Sequence, residues 1–100
     1  MKKLLVFALL ASSTAFAGRV DEIQIMTTED VEFTLNLWNT PGRTYEITYQ
    51  NFTPASEGHD LAVETKLIVT DAGQGNQEWT CVTQFVKTPR FFEITKTVCH

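Results

Sequence analysis

Cys81 and Cys99 are the only cysteines in the chain, and the segment they enclose, VTQFVKTPRFFEITKTV, reads as two alternating runs around Thr88-Pro89-Arg90. Two cysteines allow one intramolecular bond. That bond is the expectation, an intermolecular bond or free thiols being the alternatives; if it forms, its Cα atoms lie closer than about 7 Å and the last two strands bring residue 81 beside residue 99. Hydrophobic matching asks for another register. A two-residue turn at Thr88-Pro89 sets Phe85 against Phe92, Thr83 against Ile94 and Trp79 against Val98. It leaves Cys81 opposite Lys96, about 10 Å along the strand from Cys99. The disulfide register instead pairs Cys81 with Cys99, Val82 with Val98 and Thr83 with Thr97, and needs a wider loop over residues 88–92. A bulge in the last strand or a bent C-terminus reconciles the two, with the irregularity expected at Arg90-Phe91. Closing this loop contributes about 3 kcal/mol in the chain-entropy model.

The N-terminus, MKKLLVFALLASSTAFA, points to export, and an exported chain meets an oxidising compartment where paired cysteines become disulfides. Lys2 and Lys3 precede an apolar run over residues 4–11, a polar stretch over 12–14, and small residues at Ala15 and Ala17. This is the order of a signal peptide. The run is too short to span a bilayer, which takes about 20 residues, and no later run is longer. The expectation is a signal peptide over 1–17 and a single all-β domain over 18–100, exported to the periplasm or secreted. Removing residues 1–17 takes two of the eight basic residues with it and leaves six against twelve acidic ones, a net charge of −6. Such a surface repels nucleic acid and anionic lipid, and the basic residues form no run.

The rest of the chain is short alternating runs between turn clusters, the pattern of an all-β domain. Strands are expected at 20–26, with Ile23 and Ile25 on one face, and at 31–38, where Val31, Phe33, Leu35 and Leu37 alternate with Glu32, Thr34, Asn36 and Trp38. After Pro41-Gly42, Tyr45, Ile47 and Tyr49 alternate in turn. Pairing Leu37 with Tyr45, Leu35 with Ile47 and Phe33 with Tyr49 keeps the faces separate. Two more strands follow at 61–70 and 78–87. Setting Val69 against Trp79 brings Leu67 opposite Cys81 and Val63 opposite Phe85. Ala62, Ile68, Val82 and Val86 make the second face partly apolar, so both faces are expected to be covered. With the run at 91–98 this gives about six strands, a small antiparallel β-sandwich or, alternatively, a small barrel. The polar connection over 52–60 is expected to cross between sheets.

Catalytic chemistry finds little to use. His59 lies in a polar loop with Ser56 and Asp60, without the Gly-x-Ser-x-Gly turn that exposes a nucleophile. Asp21-Glu22 and Glu29-Asp30 are read as solvated charges. A metal needs several convergent ligands, and Glu57, His59 and Asp60, close in sequence, are read as a solvated loop. Residues 71–76 lack calcium-loop spacing. Asn51-Phe52-Thr53 matches the N-glycosylation acceptor, which has meaning only in a eukaryotic host. No catalytic residue, metal or cofactor is expected. Two features suit recognition instead: Trp38 near Arg43, and a rigid hairpin loop presenting Pro89, Arg90 and Phe91. The expected function is a small exported, non-catalytic binding module for an extracytoplasmic protein or polymer, an inhibitor of a hydrolase being one form. The alternative is a structural or assembly subunit of a surface or envelope complex, joined through its edge strands.

Overall fold

The computed structural model describes residues 19–100, so the expected signal peptide lies outside the described residues. One helix precedes four strands: α1 (Val20–Thr34), β1 (Arg43–Thr53), β2 (Leu61–Asp71), β3 (Gly75–Lys87) and β4 (Phe92–Cys99). The strands form one antiparallel sheet in the order β1-β2-β3-β4, and α1 packs over β3 and β4. The protein is therefore mostly β, but four strands replace the expected six. Among the described residues the second layer is a helix instead of a second sheet, and the sheet stays open at β1 and β4. Among the described residues no helix is long and apolar enough to cross a membrane.

Residues 20–34 are helical because Val20, Ile23, Thr27 and Val31, three or four apart, are all buried on one stripe. Thr27 interrupts that stripe when only apolar residues are counted. Its hydroxyl donates to the Ile23 carbonyl at 2.7 Å, so the turn below satisfies the buried oxygen. Asp21 and Glu22 occupy the first turn, where carboxylates suit the unpaired N–H groups. The helix ends in a Schellman motif. Asn36 takes φ 57°. Its N–H donates to Phe33 O at 3.1 Å, and Leu37 N–H donates to Glu32 O at 2.9 Å. This turn returns Leu37 to the cluster that holds Val31, while Phe33 is left 77% exposed. The alternation at 31–37 thus marks no strand face. The hairpin expected between it and residue 45 gives way to β1 pairing with β2, with Tyr45 opposite Val69.

The β2–β3 hairpin keeps its expected faces but sits two residues away in register. Leu67 opposes Trp79, Thr65 opposes Cys81, Val63 opposes Thr83 and Leu61 opposes Phe85. A slip of two preserves every face, so side-chain matching cannot detect it. The turn decides: Asp71 pairs with Gly75, and Gly73 adopts φ 80° to let Gln74 N–H reach Asp71 O at 2.9 Å. The last hairpin takes the disulfide register, with Cys81 opposite Cys99, Val82 opposite Val98 and Thr83 opposite Thr97. The cysteine Cα atoms are 4.0 Å apart. The ladder shifts between Gln84 and Phe85, leaving Thr95 as the bulged residue of β4. The bulge therefore lies inside the strand and not at Arg90-Phe91, and the loop is the four residues 88–91. Phe85 and Phe92 still meet edge to face, ring centroids 6.5 Å apart.

Two apolar clusters fill the space beneath α1. One gathers Val20, Ile23, Leu61, Val63 and Phe85; the other gathers Val31, Leu37, Ile47, Leu67, Val69 and Cys81. A polar belt divides them, with one side chain from each strand: Gln50, Thr65, Thr83 and Thr97. Gln50 reaches the inner face because β1 bulges between Ile47 and Tyr49. Its Nε2 donates to Thr28 Oγ1 at 3.2 Å and to Thr65 Oγ1 at 3.0 Å. Thr97 Oγ1 lies 2.5 Å from Asp30 Oδ2 and 2.9 Å from Thr83 Oγ1. A hydroxyl has one proton, so Thr97 donates to Asp30 and Thr83 donates to Thr97. On the outer face, Ser56 N–H donates to Gln84 Oε1 at 3.1 Å. This lays the β1–β2 connection against the sheet that it was expected to leave.

Candidate binding site

The residues singled out for recognition fall at opposite ends of α1, about 22 Å apart by the rise of its 15 residues. Trp38 and Arg43 follow the C-terminal turn; Pro89, Arg90 and Phe91 lie near the first turn. Trp38 is 66% exposed. Arg43 is turned inward. Its Nε and Nη2 donate to the two oxygens of Asp71 at 2.6 and 3.0 Å, and Nη1 donates to Leu35 O at 2.9 Å. This fork-to-fork contact follows from the β1–β2 register, which sets Arg43 opposite Asp71. Arg43 thereby ties the end of α1 to β1 and β2. The Asp71 hydrogen bond raises the Arg43 pKa, and the same bond holds the Asp71 carboxyl below its ordinary range.

At the other end, three chain segments enclose a cleft of ≈ 390 Å³. The β3–β4 loop forms one wall and is braced by its own backbone. Thr88 N–H donates to Phe91 O at 3.0 Å, and Thr88 Oγ1 accepts from Phe91 N–H at 3.0 Å and Arg90 N–H at 3.3 Å. Pro89 restricts φ within the loop. Asp60 anchors the β1–β2 connection to the end of β3. Its N–H donates to Phe85 O at 2.9 Å, and its Oδ2 accepts from Lys87 N–H at 2.7 Å. The start of α1 supplies Arg19, whose guanidinium lies 3.9 Å from the Phe91 ring centroid and pairs with Glu22 at 2.8 Å. Phe91 packs in turn on the edge of Phe92, centroids 5.2 Å apart.

Three of the six basic residues in 19–100, Arg19, Lys87 and Arg90, line this cleft, with Asp60 as its one acidic residue. The Lys87 and Arg90 side chains have no hydrogen-bond or ion-pair partner among the described residues. Arg19 and Asp60 escape detection in the sequence because tertiary packing alone joins them to Arg90. The nearness of Lys87 to Arg90 across Thr88-Pro89 is the one local signal.

Ser56 Oγ lies 3.0 Å from His59 Nδ1 within a turn closed by His59 N–H to Ser56 O. Asp60, which could have completed a relay, is bound to the Lys87 backbone instead. Among the described residues no three His, Cys, Asp or Glu side chains gather as metal ligands. No family model, curated protein or solved structure matches the chain.

Proposed function

We propose that the protein is a small exported binding module, which engages a protein partner outside the cytoplasm through the β3–β4 loop and its cleft. The braced loop carries this reading. Its backbone is held by Thr88 and Pro89, the hairpin that carries it is joined at its far end by the Cys81–Cys99 bond, and its exposed cations have nothing to pair with among the described residues. A loop already held in one shape loses little conformational freedom when it docks. The signal-peptide pattern and the disulfide both support export. Inhibition of an extracytoplasmic hydrolase is one form such docking takes, and no catalytic group is needed for it. The test is capture from an extracytoplasmic extract by immobilised, disulfide-intact residues 18–100. Wild type is expected to retain a partner. Replacing residues 88–91 by Gly-Asn-Gly-Ser is expected to abolish retention with circular dichroism unchanged, and Trp38→Ala to leave it intact. Absence of any partner, or retention indifferent to the loop, overturns the proposal.

The open edges at β1 and β4 favour a second reading, an assembly subunit extended by strand addition. Sedimentation separates the two: assembly requires concentration-dependent self-association or envelope-bound material, whereas the binding module stays monomeric.

A further inference from the structure

We infer that the β3–β4 cleft is a carboxylate site, which takes an Asp or Glu side chain from a short acidic segment of the partner. This rests on the binding-module reading above. Lys87 and Arg90 converge on the cleft with no partner among the described residues, although acidic side chains outnumber basic ones two to one over 19–100. Arg43 shows what a guanidinium of this chain does beside a carboxylate: it is taken up by both oxygens. Arg90 has the same fork free.

The surroundings select among anions. A sugar polymer needs open aromatic faces for stacking. Here the Arg19 guanidinium covers a face of Phe91, and Phe91 and Phe92 meet edge to face. A long polyanion needs a basic track, and net charge of one sign repels it; these cations are confined to one cleft of ≈ 390 Å³ on an acidic chain. Asp60 also lines the cleft and disfavours a second negative charge within it. It also favours a peptide: Oδ2 is used by Lys87 N–H, while Oδ1, unpartnered among the described residues, can accept a backbone N–H beside the bound acid. The carboxylate occupies the Lys87–Arg90 side and the segment's amide faces Asp60.

The experiment is a ¹⁵N NMR titration of disulfide-intact residues 18–100 with the blocked peptide acetyl-Gly-Leu-Glu-Glu-Leu-Gly-amide and with its Glu→Gln counterpart. Amide shifts are expected at residue 60 and over 87–92. The Gln peptide is expected to bind at least about tenfold more weakly, the loss of charge-assisted hydrogen bonds. The Lys87→Gln/Arg90→Gln variant, altered at exposed side chains and checked by amide dispersion, is expected to lose the same factor for the Glu peptide. Equal affinity for both peptides, shifts confined to other surfaces, or tighter binding of an oligogalacturonate of equal charge would each overturn the assignment. Partner capture that depends on loop 88–91 but survives Lys87→Gln/Arg90→Gln removes the carboxylate and leaves the binding module standing.

Discussion

Asp71 accepts both edges of the Arg43 guanidinium, and that contact makes the fold sensitive to acid. The hydrogen bond from Arg43 is the largest cause of the lowered Asp71 pKa, with Arg43's charge adding to it and burial opposing it. Because the folded value lies below the unfolded one near 3.8, the contribution is present at neutral pH and is lost as pH falls through the folded value. Asp71→Asn should lower the melting temperature at pH 7, and calorimetry should find the gap to wild type narrowing below about pH 4. Tyr45 gives the opposite edge of the pH range. Burial first, then the hydrogen bond to Glu32 and its charge, push its phenol up to about 12. The folded value exceeds the ordinary 10.0, so this stabilisation is complete below about pH 10 and disappears as pH rises toward about 12. Phenolate absorbance should show a component near 12 in wild type; its persistence in Tyr45→Phe would reject the assignment. Neither contact was legible in the sequence. Arg43 is expected from the sequence to serve recognition beside Trp38, whereas its guanidinium is engaged by Asp71, 28 residues away, through a contact that depends on the β1–β2 register.

Among the elements, α1 was hidden by two coincidences. Thr27 stands in its buried stripe as a polar residue, and Val31 to Leu37 alternates across a helix end and its turn. Ile23 and Ile25 separate the two readings. A strand puts both on one face; α1 buries Ile23 completely and leaves Ile25 56% exposed. Ile23→Ala should therefore cost about 2–5 kcal/mol in urea unfolding, and Ile25→Ala less than about 0.5. Similar losses at both positions would contradict the helix. The β2 and β3 faces were legible because alternation survives a slip of two, whereas their register was set by the Asp71–Gly75 turn. In the last hairpin the covalent demand of two cysteines outranked core matching. The bulge at Thr95 absorbed the mismatch while Phe85 and Phe92 kept their contact. Cys99→Ser should lower stability by about 3 kcal/mol; an unchanged urea midpoint would remove the staple from the account.

Over the whole molecule, one face of a four-strand sheet carries a helix whose packing is split by the Gln50–Thr65–Thr83–Thr97 belt. β2 and β3 each have two strand neighbours, while β1 and β4 are edges. Opening should begin at the edges and at α1, so the slowest amide hydrogen exchange is expected in β2 and β3; protection greatest in α1 would reverse that order. The sandwich expectation arose from the apolar outer residues Ile68, Val82 and Val86, half-buried here on a single sheet. No sequence period distinguishes a covering sheet from a covering helix when the helix hides its own stripe. The candidate cleft depended on this layering, since Arg19 reaches Phe91 only from the first turn of α1. The Cys81–Cys99 bond also sets the mechanical circuit of the molecule. Tension applied at His100 passes through the sulfur atoms into Cys81 and onward toward Thr80. Residues 82–98 form a side ring outside that path, so a load on the C-terminus leaves the backbone of the Lys87–Arg90 loop untensioned.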